Sequence, residues 1–412
     1  MDFKKRRNSL LNLIEEGTIL LFSGFEVQRS ADESYPFSVN RNFYYLTGIN
    51  QKETYCVLSK ENEQLYILDN DERLARWVGY NLFVDEAKEI SNFKNVSTYK
   101  DINNVLKEVA LNNKVVYLDL EKTNFLGGVN QGERLTNLLL SYNKDLIIKD
   151  IYQDIISLRA VKDEEEIKAL KHSIHITNLA LNDLMKNLSS LDNEKECQAL
   201  FEQKIACYGH AVTSFDTIAA SGKNATILHY NVNNQNLNKE DLILFDLGAR
   251  VNFYNADISR TYPLNKKYSS LQKQIYELVL SCNKQIINLV KPGISILSLQ
   301  EQTKEILSNG LIELGLIKQK DELDKYYFHN VSHHLGLDTH DPMDRSENLI
   351  PGNVITVEPG LYIPEYGIGV RIEDDVLVTE NGSINLSEEI IKEVKDIELY
   401  LMENSKWKKE LF

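Results

Sequence analysis

Short apolar runs separated by helical segments characterise the N-terminal part of the chain. Strands are expected at residues 17–22, 55–58, 65–68 and 115–118, and a helix at 102–111. A long polar segment, residues 28–42, interrupts this pattern and is expected to be a loop, which at that length is often functional or mobile. The pattern predicts a mixed α/β domain.

Two helices are predicted in the later part of the chain. Asp163 can cap the first helix, and Glu166 stands at the position that completes a capping box. The second helix begins at Ser269 or Ser270 and ends before Pro292. Strands are expected between and after these helices, at residues 242–245, 354–357, 369–373 and 376–378.

The length of the chain, 412 residues, exceeds what one ordinary hydrophobic core contains, so two domains are expected. A boundary near residues 150–163 gives an N-terminal domain of residues 1–155 and a second domain of residues 156–412. The second domain shows a hint of internal duplication. An apolar run followed by a carboxylate, a nearby glycine and a later carboxylate occurs twice, as Asp246, Gly248 and Asp257 and again as Glu358, Gly360 and Glu373.

The net charge and the cysteine pattern narrow the binding partners and the cellular location that are expected. The formal net charge of −15 argues against nucleic acid and against anionic membranes as partners. The four cysteines form no C-x-x-C pair, so no disulfide framework or thiolate zinc site is expected, and a cytoplasmic location is favoured. The apolar stretch after the basic N-terminus is too short for a signal peptide, and no run is long enough for a membrane-spanning helix.

Carboxylates stand at the ends of the apolar strands. Asp246 ends one run, where an ionised carboxylate is costly to bury unless it is paired or bound to a metal. A strand–turn–strand would bring Asp257 close to it. Taken singly, each of the two reads as a helix cap or an ion-paired residue. Glu373 taken alone reads as the ion-pair partner of Arg371, because strand alternation places both on one face.

A histidine-rich segment, HNVSHHLGLDTHD, is less ordinary. It contains four of the eight histidines of the chain within residues 329–340. His329 and His333 are four residues apart, which on a helix would place them on one face. Together with the nearby carboxylates, this segment predicts a catalytic or metal site, with His334 as a bystander.

The combined set of four carboxylates and one imidazole predicts a metal centre. Oxygen-rich sites without thiolates favour harder divalent ions such as manganese, although cobalt or zinc would also bind. Two metals roughly 3.5–4 Å apart could hold a bridging hydroxide and polarise a carbonyl. This chemistry leaves both peptide and phosphate hydrolysis open. The four carboxylates are Asp246, Asp257, Glu358 and Glu373.

The ordered set Asp246, Asp257, His333, Glu358 and Glu373 resembles the metal-ligand pattern of the pita-bread metallopeptidases, which include methionine aminopeptidase, aminopeptidase P, prolidase and creatinase. The motifs ILHY, FDLGA, ADISRTYP, HHLGLDTHD, VEPGLYI and GVRIEDD follow in the family order. The segment NRNFYYLTGINQKETYCVL is similar to the leader domain of aminopeptidase P. The resemblance implies an α/β (α+β) chain in which a mixed α/β domain precedes a pita-bread catalytic domain with a pseudo-twofold repeat. One departure is Leu247, where many relatives have alanine, and its side chain is expected to point into the core.

The resemblance also implies roles for individual residues. Asp246 would bind one metal, His333 and Glu358 would complete the other, and Asp257 and Glu373 would bridge both. Glu358 would also shuttle the proton of the attacking water. The remaining implied site residues are His229 and His340 at the scissile carbonyl, His329 and Arg371 at a proline pocket, Tyr362 as a hydrogen-bonding group, and Trp77 as a substrate-site tryptophan, in some relatives supplied to a neighbouring subunit.

The activity implied is release of the N-terminal residue from peptides with proline in second position, by an Xaa-Pro aminopeptidase with two divalent metals, most simply Mn²⁺. A prolidase shares the ligands and cleaves only dipeptides, so it stays open as an alternative. A creatinase-like hydrolase needs no metals and leaves the five ligands unexplained. A non-catalytic peptide-binding protein on the same fold is the remote alternative. A homo-oligomer, a dimer or larger, is expected.

Overall fold

The computed structural model describes residues 1–121, 131–343 and 347–404. The chain divides into two compact units, residues 1–159 and 160–412. This division falls four residues after the one that the sequence suggests, at the end of a helix that spans Tyr152–Ala160. Within the described residues, no helix combines the length and the apolar character needed to cross a membrane.

The first unit is built on one six-stranded sheet. Its elements are α1 Phe3–Leu11, β1 Thr18–Phe22, β2 Gln28–Ser30, β3 Glu33–Ser34, α2 Arg41–Thr47, β4 Tyr55–Leu58, β5 Glu63–Leu68, α3 Glu72–Val78, α4 Val84–Ser91, β6 Asn95–Tyr99, α5 Ile102–Asn112, β7 Val115–Leu118, α6 Gln131–Tyr142, β8 Ile147–Asp150 and α7 Tyr152–Ala160. The strand order is β6-β5-β4-β1-β7-β8. The pairs β1–β7, β5–β6 and β7–β8 are parallel, and the remaining neighbours are antiparallel.

The strands predicted for this unit are confirmed, and their ends differ from the prediction by at most two residues. The sheet forms because burial of the apolar side chains of these strands in a hydrophobic core is favourable. Residues of α5 and α6 pack with β1 and β7 in one hydrophobic cluster. The segment 28–42 differs from the prediction, because it is not a continuous loop. Its first part forms the β2–β3 hairpin, and α2 begins near its end, where the Asn40 side chain accepts a hydrogen bond from the Phe43 N–H and so caps the helix.

The described part of the second unit contains helices and four small antiparallel sheets, three with three strands and one with two. Its elements are α8 Glu164–Asn187, α9 Glu194–Gly209, β9 Val212–Thr213, β10 Ile218–Ser221, β11 Leu242–Leu247, β12 Ala249–Val251, β13 Tyr254–Asn255, β14 Ile258–Pro263, α10 Ser270–Leu289, α11 Ile296–Glu313, β15 Val354–Val357, β16 Gly360–Ile363, β17 Ile368–Arg371, β18 Asp374–Thr379, β19 Gly382–Asn385 and α12 Val394–Asn404. The predicted cap at Asp163 is confirmed as a complete capping box, and Ser269, near which the second helix was expected to begin, also caps its helix through a complete capping box.

The order of elements in the second unit repeats. In each half, two helices precede a strand, a two-stranded hairpin, and a strand that returns to pair antiparallel with the first strand. The first copy is α8, α9, β11, the β12–β13 hairpin and β14, and the second is α10, α11, β15, the β16–β17 hairpin and β18. The predicted pseudo-twofold repeat is therefore present, and it gives the two halves equivalent strand ends.

Gly248 joins β11 to β12 at a point where two backbone segments nearly touch. A Cβ atom added to Gly248 would lie 1.8 Å from the carbonyl oxygen of Ala256. This close approach holds the end of β11 beside residue 257, so only glycine permits the local path of the chain. The neighbouring Leu247 is 1% exposed, which agrees with the expectation that its side chain is in the core.

We expect Gly248→Ala to lower the free energy of unfolding by about 3 kcal/mol or more, because a methyl group cannot be placed without moving backbone. Gly382→Ala is the control, since an added Cβ there meets no atom within 4 Å. We expect this control to change stability by less than about 1 kcal/mol. Chemical denaturation of both variants checks the prediction, and equal stability of the two would contradict it.

Candidate metal centre

A cavity of about 460 Å³ lies in the second unit. All five predicted metal ligands line it, together with other side chains that the sequence singled out. The titratable or charged lining residues that the sequence singled out are Asp246, Asp257, His333, Glu358, Glu373, His229, His329, His340 and Arg371. The structure thus brings together nine residues that are spread over more than a third of the chain.

The strand ends explain why the four carboxylates meet. Asp246 lies near the end of β11, opposite Ser259 on β14, and Asp257 immediately precedes β14. In the second copy, Glu358 immediately follows β15, and Glu373 immediately precedes β18. Because β15 pairs with β18 as β11 pairs with β14, each copy delivers two carboxylates at one end of an antiparallel pair.

The centre of the site is formed by Asp257, His333 and Glu373, whose ligand atoms lie within 4.8 Å of one another. The Nε2 atom of His333 is 3.4 Å from Asp257 Oδ2 and 3.6 Å from Glu358 Oε1. Its Nδ1 atom is 3.0 Å from the carbonyl oxygen of His334, which can only accept a hydrogen bond. Nδ1 therefore carries the proton in the neutral ring, and the Nε2 lone pair faces the carboxylates.

This arrangement fits a cation. A lone pair that faces two carboxylates is an unfavourable arrangement unless a positive charge lies between them. Burial, and after it the neighbouring carboxylates, raise the pKa of Asp257 and of Glu373 well above the ordinary range. Their side chains are almost completely buried. Oxygen ligands with one imidazole suit divalent ions such as manganese, cobalt or zinc.

Arg371 pairs with Asp246. Its Nη2 donates to Asp246 Oδ2 at 2.6 Å, and its Nε donates to Ser259 Oγ at 2.7 Å. The predicted direct ion pair between Arg371 and Glu373 is therefore wrong, and the link between them is indirect. It runs through the Ser259 hydroxyl, which lies 2.7 Å from Glu373 Oε2 and 3.1 Å from Asp246 Oδ1. Sequence reasoning missed Ser259, although its position two residues after Asp257 on a strand was a usable signal.

The histidine-rich segment is not a helix. It runs beside β15 instead: the N–H of Thr356 donates to the His333 carbonyl at 2.9 Å, and the N–H of His333 donates to the Thr356 hydroxyl at 3.1 Å. Gln300 on α11 anchors the other end, where it donates to the His329 carbonyl and accepts from the Val331 N–H. Tertiary hydrogen bonds, and not the period of a helix, therefore place His329 and His333 at the same cavity.

A chain of hydrogen bonds connects Arg371 to His329 through Tyr362. Arg371 Nη1 donates to the Tyr362 hydroxyl at 2.9 Å, and this hydroxyl is 2.9 Å from His329 Nε2. The Nδ1 atom of His329 lies 2.8 Å from the Asn330 carbonyl, so Nδ1 donates and Nε2 accepts from the tyrosine. Burial, and after it Arg371, lower the pKa of His329 to about 3, so the ring is neutral at physiological pH.

The other candidate residues separate into those on the cavity and those away from it. His229 and His340 are solvent-exposed residues of the lining, and the rings of His340 and His333 lie 4.4 Å apart in an edge-to-face arrangement. The Tyr362 side chain is 0% exposed and is not part of the lining, so its hydroxyl acts on its neighbours. Trp77 lies on α3 of the first unit and is 88% exposed. The bystander His334 is buried and is not part of the lining.

Comparison with protein families gives two matches that together span most of the chain. The model described as metallopeptidase family M24 matches residues 168–380. The model described as the aminopeptidase P N-terminal domain matches residues 3–117. The first match contains the cavity and every predicted metal ligand, and the second lies within the six-stranded unit.

Individual relatives are similar along nearly their whole length. The chain is 33% identical to the Xaa-Pro aminopeptidase of Escherichia coli K12, with 97% of each chain covered. It is also 33% identical to the Xaa-Pro aminopeptidase of Haemophilus influenzae, with 96% of each covered. A solved structure of zinc-substituted E. coli aminopeptidase P in complex with product is 32% identical, covers 98% of this chain and 99% of its own, and has a TM-score of 0.90. The α/β fold class, with an N-terminal domain and a pita-bread domain, is confirmed.

The raised pKa values of Asp257 and Glu373 predict how stability depends on pH without metal. A carboxyl whose folded pKa is raised contributes stability that is present at low pH and is lost as the pH rises through the folded pKa. We therefore expect the metal-free protein to lose stability on going from about pH 5 to about pH 8, and divalent cations to restore it. At a concentration a hundredfold above its Kd, a cation that binds only the folded state adds about 3 kcal/mol.

The measurement is the thermal midpoint of chelator-treated protein with and without Mn²⁺ at the two pH values. The stabilisation by Mn²⁺ should be larger at the higher pH, because cations compete with protons for the carboxylates. Asp257→Asn is the matched variant. It removes one repelling charge, so its metal-free form should depend less on pH and gain less from Mn²⁺. An equal gain from Mn²⁺ in the wild type and this variant would contradict the prediction.

Proposed function

The chain belongs to metallopeptidase family M24, and from this membership we propose that it is an Xaa-Pro aminopeptidase, which releases the N-terminal residue from peptides with proline in second position. The single observation that carries the proposal is the buried cluster of Asp257, His333 and Glu373, with Asp246 and Glu358 at its edge. This cluster lies in a chain that is similar to Xaa-Pro aminopeptidases over nearly its full length. In this proposal residues 156–412 form the catalytic domain, and residues 1–155 form the N-terminal domain.

We propose that two divalent metals, most simply Mn²⁺, occupy the cluster. The residues that would hold them are Asp246, Asp257, His333, Glu358 and Glu373. Bound there, the cations supply Lewis-acid activation of the attacking water and of the scissile carbonyl. Four carboxylates balance the charge of two divalent cations, and the hydrogen bond from His333 Nδ1 to the His334 carbonyl orients the imidazole for this role.

Glu358 is proposed as the group that moves the proton. Its carboxylate is only partly buried and lines the cavity, with Oε1 beside His333 Nε2 and Oε2 3.7 Å from His329 Nδ1. It takes the proton from the attacking water and delivers it to the proline nitrogen as the peptide bond breaks. His229 and His340, which are exposed to the cavity, would donate hydrogen bonds to the oxygen of the tetrahedral intermediate.

His329 and Arg371 are proposed to frame the proline pocket. The contacts described above fix both side chains: Arg371 is held by Asp246, Ser259 and Tyr362, and His329 is held by Tyr362. A neutral imidazole and a guanidinium held by three partners make a rigid wall, which suits a ring with no backbone N–H to satisfy. Tyr362 takes part as the residue that orients them and has no contact with substrate in this proposal.

The assay that tests the function uses purified protein with Mn²⁺ and compares Xaa-Pro dipeptides with Xaa-Pro-Xaa tripeptides. We expect cleavage of the tripeptide before proline, with activity lost in Asp257→Ala. Glu358→Gln should lower kcat by about 10²- to 10⁴-fold, because it removes general acid–base catalysis. His229→Ala and His340→Ala should each lower kcat by about 10²- to 10³-fold.

The alternatives give different results in the same assay. Cleavage confined to dipeptides would identify a prolidase. Retention of about two metals per chain without turnover of any Xaa-Pro peptide would favour a peptide-binding protein on this fold. Omission of Mn²⁺ and its replacement by Co²⁺ or Zn²⁺ determine which metal supports the highest kcat.

Trp77 is proposed as a substrate-site residue supplied to a neighbouring subunit of a homo-oligomer. Its indole is almost fully exposed, and Leu74 and Val78 on the same helix are also more than half exposed. Apolar side chains clustered on one exposed face favour a protein contact. The four cysteines are free thiols, which suits a reducing cytoplasmic location.

We expect the wild-type protein to be a dimer or larger by light scattering. Trp77→Ala should weaken self-association by about tenfold or more and lower kcat/KM, because aromatic anchors dominate interface energy. Leu111→Ala is the control, since Leu111 is 55% exposed on α5 of the same unit. A monomeric wild type, or equal effects of the two substitutions, would contradict this role.

A further inference from the structure

Glu194 is a buried acid that the catalytic scheme does not use. It is the first residue of α9, its exposed fraction is 0%, and Asn193 caps the helix before it. A carboxylate in the first turn of a helix is favourable, but that position is normally at the surface. Its complete burial requires a compensating set of donors.

Five hydrogen bonds converge on the Glu194 carboxylate from one segment of the chain. Oε1 accepts from the Ser221 N–H at 2.7 Å, the Ser221 hydroxyl at 2.8 Å and the Asn224 amide at 3.0 Å. Oε2 accepts from the Tyr230 hydroxyl at 2.8 Å and the Gln235 N–H at 3.0 Å. The N–H of Glu194 in turn donates to the Gln235 carbonyl at 3.0 Å. One side chain therefore ties both ends of residues 221–235 to the start of α9.

His229 lies within this tied segment. Its neighbours on both sides are fixed: Tyr230 belongs to a hydrophobic cluster with residues of β10 and β11, and Leu228 packs against the same cluster. Within the described part of the chain, no hydrogen bond is found for the His229 imidazole itself, which is exposed in the cavity. The position of this ring is therefore set by the backbone that carries it.

We propose that Glu194 is the positioning residue for His229, and that it acts by holding residues 221–235 in the conformation that presents the imidazole to the cavity. This proposal depends on the proposed function only in the experiments that measure activity. Glutamine cannot replace Glu194, because each carboxylate oxygen accepts a backbone N–H, one from Ser221 and one from Gln235. Either orientation of the amide would place its NH₂ against one of these donors.

The test compares E194Q with E166Q in the full-length, Mn²⁺-loaded protein. Glu166 is the matched control: it is a buried glutamate in the first turn of α8, and it accepts from the Tyr254 hydroxyl at 3.0 Å, outside the cavity lining. E194Q should lower kcat by about 10- to 100-fold with little change in KM, because the contact of His229 forms in the transition state. E166Q should leave both values near those of the wild type.

Two further measurements separate positioning from general damage. Amide hydrogen exchange across residues 221–235 should be faster in E194Q and unchanged in E166Q. In the His229→Ala background, E194Q should lower kcat by less than about a further threefold, since the effects of residues that act as a unit are not additive.

Y230F removes one donor to Glu194 and keeps the aromatic ring, so it should give a smaller change of the same kind even if E194Q folds poorly.

The outcomes distinguish this proposal from the proposed function. A wild type that cleaves no Xaa-Pro peptide would end the proposed function. Exchange across residues 221–235 would still decide the positioning role: faster exchange in E194Q supports it, and unchanged exchange overturns it. With an active wild type, unaltered kcat in E194Q, or a loss that adds in full to that of His229→Ala, also overturns it.

Discussion

The mutual repulsion of four carboxylates around one imidazole is the constraint on which this site depends. Burial, and after it the neighbouring carboxylates, raise the pKa of Asp257 and of Glu373, so the folded chain accepts an electrostatic cost at this point. Among the described residues that line the cavity, Arg371 is the one with a permanent positive charge, and it is committed to Asp246. The negative charge that Arg371 does not compensate is available to bind cations. The fold thus holds mutually repelling carboxylates in position before a metal binds.

The pseudo-twofold repeat explains how a chain builds such a cluster from ordinary parts. A single antiparallel pair delivers two carboxylates at one end, and two copies deliver four. The repeat supplies no histidine, because His333 comes from an irregular segment that runs beside β15. Symmetry therefore provides the four carboxylates, and the departure from symmetry provides the imidazole of His333 and the neutral histidine at position 329.

Polar side chains without a direct part in the chemistry hold the reactive groups in place. Ser259 links Asp246, Glu373 and Arg371, and Tyr362 links Arg371 to His329. Glu194 does the same for the backbone that carries His229, with five accepted hydrogen bonds. Buried polar networks of this kind stabilise a site only when every member is satisfied, so single substitutions in them should have effects beyond their immediate contacts.

The sequence by itself predicted several of the helices and strands, the carboxylates that meet at the cavity and the repeat, because these depend on local patterns: apolar runs, capping boxes such as that of Asp163, and carboxylates at strand ends. It could not determine which partners the side chains choose. Arg371 was paired with Glu373 by strand alternation, but it bonds Asp246 on another strand. The spacing of His329 and His333 would place them on one face of a helix, but hydrogen bonds to Gln300 and Thr356 hold them in an irregular segment beside β15. Glu194 carried no sequence signal, because its five donors lie 27 to 41 residues away and meet it only when α9 packs against β10.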